Sequence, residues 1–192
     1  MMAYIIHDSS LYEAIRNEID PAVSNGQAGL ESRLEDCQRL VAIYNEILRL
    51  NTASVSIRSV DAPTDVGSVT MCAGAKVLIP YRQLHFDESV FGDNAAHFDA
   101  ERFFARPELS KSPSFRPFGG GTTYCSGRHV AKREVLTFVA LVLHRYDIKV
   151  AAEAPDQPNH RFPRCDVKKP CLGVLPPVAG DDVNVVVRKR KM

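Results

Sequence analysis

The 192 residues are 45% hydrophobic and 24% charged, a balance that suits one ordinary folded domain burying roughly 70% of its unfolded surface and excludes a disordered chain. With 24 Lys+Arg against 23 Asp+Glu the formal net charge is +1, too weak a field to hold a polyanion, so no nucleic-acid partner is expected. No stretch approaches the roughly 18 apolar residues of a membrane span, and Met1 to Ile6 lacks the basic region of a signal peptide.

Five cysteines, Cys37, Cys72, Cys125, Cys165 and Cys171, are odd in number, scattered and free of CxxC pairs, which points to a reduced, intracellular setting. In chain order, Leu11, Tyr12, Ile15 and Ile19 share one helical face, Pro21 to Gly29 reads as a break, and Leu34, Cys37, Val41, Tyr44 and Leu48 recur at helical spacing. Residues 51–85 read as short strands: Val55 to Val60 alternates, Val69 to Met71 and Lys76 to Ile79 follow, and glycine and proline punctuate them. From Asp87 to Gly121 periodicity is lost, and an irregular stretch this long is usually functional or disordered. Ser126 to Tyr146 turns helical, apolar almost all round along Val135 to Leu143, which predicts deep burial on every side. After Gly173, Pro176, Pro177 and Gly180, the run Val183 to Val187 suggests a closing hairpin, and Arg188 to Lys191 a solvated basic tail. The fold class expected is mainly α with a small β-sheet.

The segment Phe118-Gly119-Gly120-Gly121-Thr122-Thr123-Tyr124-Cys125-Ser126-Gly127 brings a cysteine through a glycine-rich loop to the start of that helix. A helix N-terminus and free backbone N–H groups favour a thiolate, which suits a nucleophile or a metal ligand, and Gly127 permits a close approach. A phosphatase-type loop fails because position 131 is Ala rather than Arg, and the Walker form lacks Gly-Lys-Ser/Thr. A cysteine hydrolase would need His129 or His144 placed as base. A plain buried thiol is the bland alternative, and thiolate ligation of haem iron is the remaining chemistry. Cys37, Cys72, Cys165 and Cys171 show no ligand spacing, and His7, His85, His97 and His160 form no constellation.

Phe118-x-x-Gly121-x-x-x-Cys125-x-Gly127 resembles the haem-binding signature of the cytochrome P450 monooxygenases. Glu46-Ile47-Leu48-Arg49 is similar to the family's Glu-x-x-Arg element, and Ala100-Glu101-Arg102-Phe103 resembles the segment whose Arg joins that pair; the three occur in family order. The resemblance implies haem b held by Cys125 as axial iron ligand. Phe118, Gly119, Gly121, Gly127, Arg58 and Thr123 would line the cofactor, with Arg58 on a propionate. Thr123 stands where many members carry a basic residue, so it offers a hydrogen bond in place of an ion pair. Glu46, Arg49 and Arg102 would form a structural network, and Val55, Leu172 and Val174 would border a substrate pocket.

The same resemblance implies a full enzyme that inserts one atom of O2 into an apolar organic substrate, a sterol, lipid or secondary metabolite. Its electrons would come from NADPH-cytochrome P450 reductase or another donor, and its full-length relatives would sit at the endoplasmic reticulum membrane. Residues 1–192 are expected to be a single incomplete domain, the carboxy-terminal haem-binding portion with the N-terminal half missing and no catalytic residue of its own. The alternative is a non-catalytic product of a truncated or mis-annotated gene, lacking the oxygen-activating helix.

Overall fold

A computed structural model describes residues 1–151, 162–169 and 173–191. The expected class holds: helices dominate, with three two-stranded antiparallel sheets. Helices α1 (Met2–Ile6) and α2 (Ser9–Ser24) open the chain, and the Asp8 side chain caps α2 by accepting from the Leu11 N–H at 2.9 Å. Pro21 does not break α2 as expected; it lies inside it. Ile19 and Ala22 flank it in the core, so burial of this face outweighs the proline penalty of about 3 kcal/mol, and Asn25 and Gly26 (φ +86) make the real stop.

The next apolar run is divided between α3 (Leu30–Glu35) and α4 (Gln38–Asn51). The N-terminus of α4 has no cap from its own N-cap residue, Cys37. Glu18 of α2 supplies one from across the packing interface, its two carboxylate oxygens accepting from the Arg39 and Leu40 N–H groups at 2.9 Å each. Cys37 is buried, and burial pushes its thiol up to about 11, in keeping with a core cysteine.

Strand β1 (Val55–Ser59) pairs with β4 (Lys76–Pro80), and the hairpin of β2 (Thr64–Val66) and β3 (Val69–Met71) lies between them in sequence. The stretch read as short strands ends in a short helix, α5 (Tyr81–His85), and α6 (Glu88–Phe91) and α7 (Arg102–Ala105) give the supposedly irregular stretch local order. Helix α8 (Arg128–Arg145) runs into β5 (Tyr146–Val150), which pairs with β6 (Val185–Lys189). The terminal hairpin is therefore replaced by a long-range pairing. Arg190 is no solvated tail residue either: its guanidinium binds the Asp20 carboxylate at 2.9–3.0 Å and the His144 carbonyl at 3.0 Å.

The core lies among α2, α3, α4 and α8, around Ile15, Ile19, Leu34, Leu40, Ile43 and Leu136. These neighbours all pack on one side of α8, so its all-round apolar character is not matched by all-round burial. Leu136, Val139, Ala140 and Leu143 are buried, while Phe138 is 60% exposed. Leu136→Ala should cost about 2–5 kcal/mol and Phe138→Ala less than about 1 kcal/mol, read as shifts in the urea midpoint of the chain. Equal losses would restore burial on every side.

Candidate haem-thiolate site

Two adjoining structures carry the sequence motifs. The first is a buried charge network on α4. Glu46 and Arg49 are fully buried one turn apart, and Arg49 bonds both carboxylate oxygens at 2.8 Å. Arg102, at the start of α7, adds its Nε at 3.2 Å from each oxygen, and the Asp99 N–H donates to Glu46 Oε1 at 3.0 Å. Two guanidiniums facing one carboxylate leave a surplus of positive charge, answered by carbonyl dipoles. Arg49 donates to the carbonyls of His85 (2.8 Å), Ala95 (2.6 Å) and His97 (3.1 Å). Arg102 donates to the carbonyls of Phe91 and Asn94 and to Asn94 Oδ1 at 2.8 Å. The three residues read from the sequence as a network do form one, and their spare donors fasten residues 85–97 to α4.

The second structure is the cysteine loop. Gly119 (φ +79) and Gly121 (φ +69) take left-handed conformations that a side chain would strain. Residues Gly121–Thr123 make a 3-10 turn, and the Cys125 N–H donates to the Phe118 carbonyl at 3.2 Å, closing the loop on itself. Phe118 packs half-buried against the core. Cys125 is exposed and free, and it stands two residues ahead of Gly127, the N-cap of α8, rather than in the helix's first turn as expected. A Cβ on Gly127 would lie 3.8 Å from the Cys125 sulfur, so the glycine leaves the thiol open on that side.

Sheet β1–β4 brings two further expected residues to this loop. On one face of β1, Arg58 donates from Nη2 to Thr123 Oγ1, and Ser56 accepts from the Tyr81 hydroxyl at 2.7 Å. A Cβ on Gly119 would lie 3.6 Å from the Tyr81 hydroxyl. Val55 and Val174 are 46% and 55% exposed. They are drawn to the same end of α4 by the Thr52–Val174 bridge and by the Ala53 N–H donating to the Gly173 carbonyl at 3.0 Å. Leu172, Cys171 and His160 lie outside the described residues.

Sequence reasoning missed His85. Its ring is fully buried, with Nδ1 3.1 Å from the Arg49 carbonyl and Nε2 accepting the Arg116 N–H at 2.9 Å. Burial pushes its pKa down to about 4. A lone histidine at the end of the stretch read as short strands carries no spacing signal, and its partners, being backbone atoms, leave no mark on the sequence. His144, weighed in the sequence as a possible base, bonds Asp20 at 2.8 Å.

The donor set fits a haem-thiolate centre. The Cys125 thiol is free and exposed on a loop turned by Gly119 and Gly121, and Arg58 bonds Thr123 two residues before it, so a thiolate donor and a cationic donor lie on the same loop. Removing one member of the buried network strands the others: Arg49→Ala should cost about 3–5 kcal/mol in chemical denaturation. Arg133→Ala, which breaks an exposed pair with Glu31 at 3.3 Å, should cost no more than about 1 kcal/mol.

Comparison with known proteins agrees with this geometry. The family model described as Cytochrome P450 matches residues 1–170. Cytochrome P450 734A5 of Oryza sativa subsp. japonica is 32% identical over 143 residues, covering 72% of this chain and 27% of the relative. Steroid 17-alpha-hydroxylase/17,20 lyase of Rana dybowskii is 31% identical over 163 residues, covering 80% of this chain and 30% of the relative. Cytochrome P450 monooxygenase nodJ of Hypoxylon pulicicidum is 29% identical over 164 residues, covering 81% and 30%. The chain thus spans less than a third of the length of these curated relatives. With a glycine-loop cysteine, a buried Glu-Arg-Arg network and a family match over most of its length, the chain belongs to the cytochrome P450 family.

Proposed function

We propose that residues 1–192 form one incomplete domain supplying the thiolate side of a haem-thiolate monooxygenase, with Cys125 as the axial ligand of haem b. The observation that supports this most directly is the exposed Cys125 thiol at the end of a loop closed by its own N–H on the Phe118 carbonyl, with Arg58 on Thr123 alongside. Bound haem would supply an iron centre for O2 activation and insertion of one oxygen atom into an apolar substrate, with electrons from NADPH through a reductase or another donor.

The chain's own residues hold and orient. Gly119 and Gly121 keep the loop backbone turned, Phe118 anchors it in the core, and Gly127 leaves room beside the sulfur. Arg58, with Thr123 as its present partner, offers donors for a propionate. Glu46, Arg49 and Arg102 hold the preceding segment in place. Val55 and Val174 present apolar side chains at the edge of the site, with Leu172 assigned there by resemblance. Relatives named as a steroid hydroxylase and a fungal monooxygenase support an apolar substrate of the sterol, lipid or secondary-metabolite kind. We place the full-length relatives at the endoplasmic reticulum membrane, although no described helix here is long and apolar enough to cross one.

A second reading, that this chain alone is non-catalytic, is favoured by its uncovered apolar faces: Phe138 and Val130 on α8, Ile57 and Leu78 opposite one another on β1–β4. Haem titration separates the two. The haem-thiolate reading expects a ferrous-CO adduct with the red-shifted Soret band of thiolate ligation, abolished by Cys125→Ala. Arg58→Ala should weaken haem retention roughly tenfold, the loss of one charged hydrogen bond. Thiolate-type spectra without NADPH-dependent oxygenation would establish the non-catalytic reading, and spectra that survive Cys125→Ala would sink the ligand assignment.

A further inference from the structure

His85 ends α5, and its buried ring makes two hydrogen bonds, both to backbone. The Arg116 N–H can only donate, so Nε2 must carry a lone pair, and the ring proton sits on Nδ1, donated to the Arg49 carbonyl. Charge state and tautomer thus follow from the partners. The two partners belong to different structures. Arg49 is the centre of the buried charge network and returns a bond to the His85 carbonyl at 2.8 Å. Arg116 lies two residues ahead of Phe118, whose carbonyl closes the cysteine loop, and the adjacent Phe115 ring packs on the imidazole at 5.6 Å between centroids.

The geometry points to His85 as a positioning residue: its neutral imidazole joins the Arg49 carbonyl to the Arg116 amide and thereby passes the placement of the charge network to the segment that presents Cys125. This deepens the haem-thiolate reading, since the loop so placed is the proposed ligand loop. The charged groups facing the ring are Arg49 from α4 and Arg82 from α5, while Arg116 meets it through its amide. Burial and these two cations all oppose a second ring proton, against the hydrogen bond to the Arg49 carbonyl. A released loop lets the imidazole take up a proton near its ordinary 6.5, whereas the held ring resists until about 4. The bond to Arg116 is therefore complete above pH 6.5 and weakens as pH falls from 6.5 towards 4.

Amide hydrogen exchange on the 192-residue chain tests this, with the Ile148 N–H, which donates to the Tyr12 hydroxyl at 3.1 Å on β5, as reference. His85→Gln places an oxygen near the Nε2 position and should keep Arg116 exchange within about threefold of the unsubstituted chain. His85→Asn reaches only the Nδ1 position and should speed Arg116 exchange at least about tenfold, equivalent to about 1.4 kcal/mol. Acidification from pH 6.5 towards 4 should release Arg116 before Ile148 in the unsubstituted chain but not in His85→Gln. Equal exchange in the two variants, an unprotected Arg116 amide at neutral pH, or simultaneous release of Arg116 and Ile148 overturns the proposal. The measurement needs no haem, so its failure leaves the Cys125 assignment to the CO spectrum.

Discussion

A carboxylate without water, facing two guanidiniums, is the constraint on which this structure rests. Removing Glu46, Arg49 and Arg102 from solvent costs several kcal/mol per ion, and the mutual attraction offsets that cost only when every remaining donor finds an acceptor. The acceptors here are the carbonyls of His85, Phe91, Ala95 and His97, together with the backbone and side-chain oxygens of Asn94. A segment without sheet ladders or long helices is thereby as firmly tied as regular structure. Side-chain donors from α4 and α7 stand in for the backbone partners it lacks.

From that anchor the site is built outward. Residues 81–85 lead out of β4 and pass beside the cysteine loop, with Tyr81 under Gly119 and His85 on Arg116. Strand β1 leaves α4 and brings Arg58 to Thr123. The first segment is bonded to the C-terminal end of α4 through Arg82 on the Leu50 carbonyl and His85 on the Arg49 carbonyl, and the second follows α4 directly, so the helix that buries Glu46 and Arg49 also sets the two walls beside the loop. The thiol is exposed, and its position is set by backbone closure at Phe118 and by the partners of the loop rather than by burial of the sulfur.

Much of this was legible in residue spacing. Glu46 and Arg49 announce themselves at i,i+3 on an amphipathic helix, the alternation of Val55 to Ser59 marks β1, and the Phe118-to-Gly127 pattern marks the ligand loop. What was not legible depends on neighbours distant in sequence. Helix α8 is apolar all round, yet its described partners sit on one side, so composition overstated its burial. Pro21 stays helical because Ile19 and Ala22 gain more in the core than the lost backbone bond costs. Arg190, in a run that looks like a solvated tail, finds Asp20, and β6 finds β5 rather than a local hairpin partner. His85 escaped because its bonds are to main-chain atoms, which any sequence possesses.

The clasp between Arg190 and Asp20 joins residues 170 positions apart, and that separation bears on the order in which the molecule can assemble. Closing a loop grows costlier with its length, and contacts so distant along the chain form after local ones have reduced the entropy still to be lost. During synthesis α2 and α8 can pack as soon as they leave the ribosome, but β5 waits with one edge unpaired until β6 and Arg190 follow. Residues 185–190 therefore complete the sheet beside α2 only after α8 and β5 have formed. Until then a nascent chain exposes an unpaired strand edge, the kind of surface on which neighbouring chains pair and chaperones act.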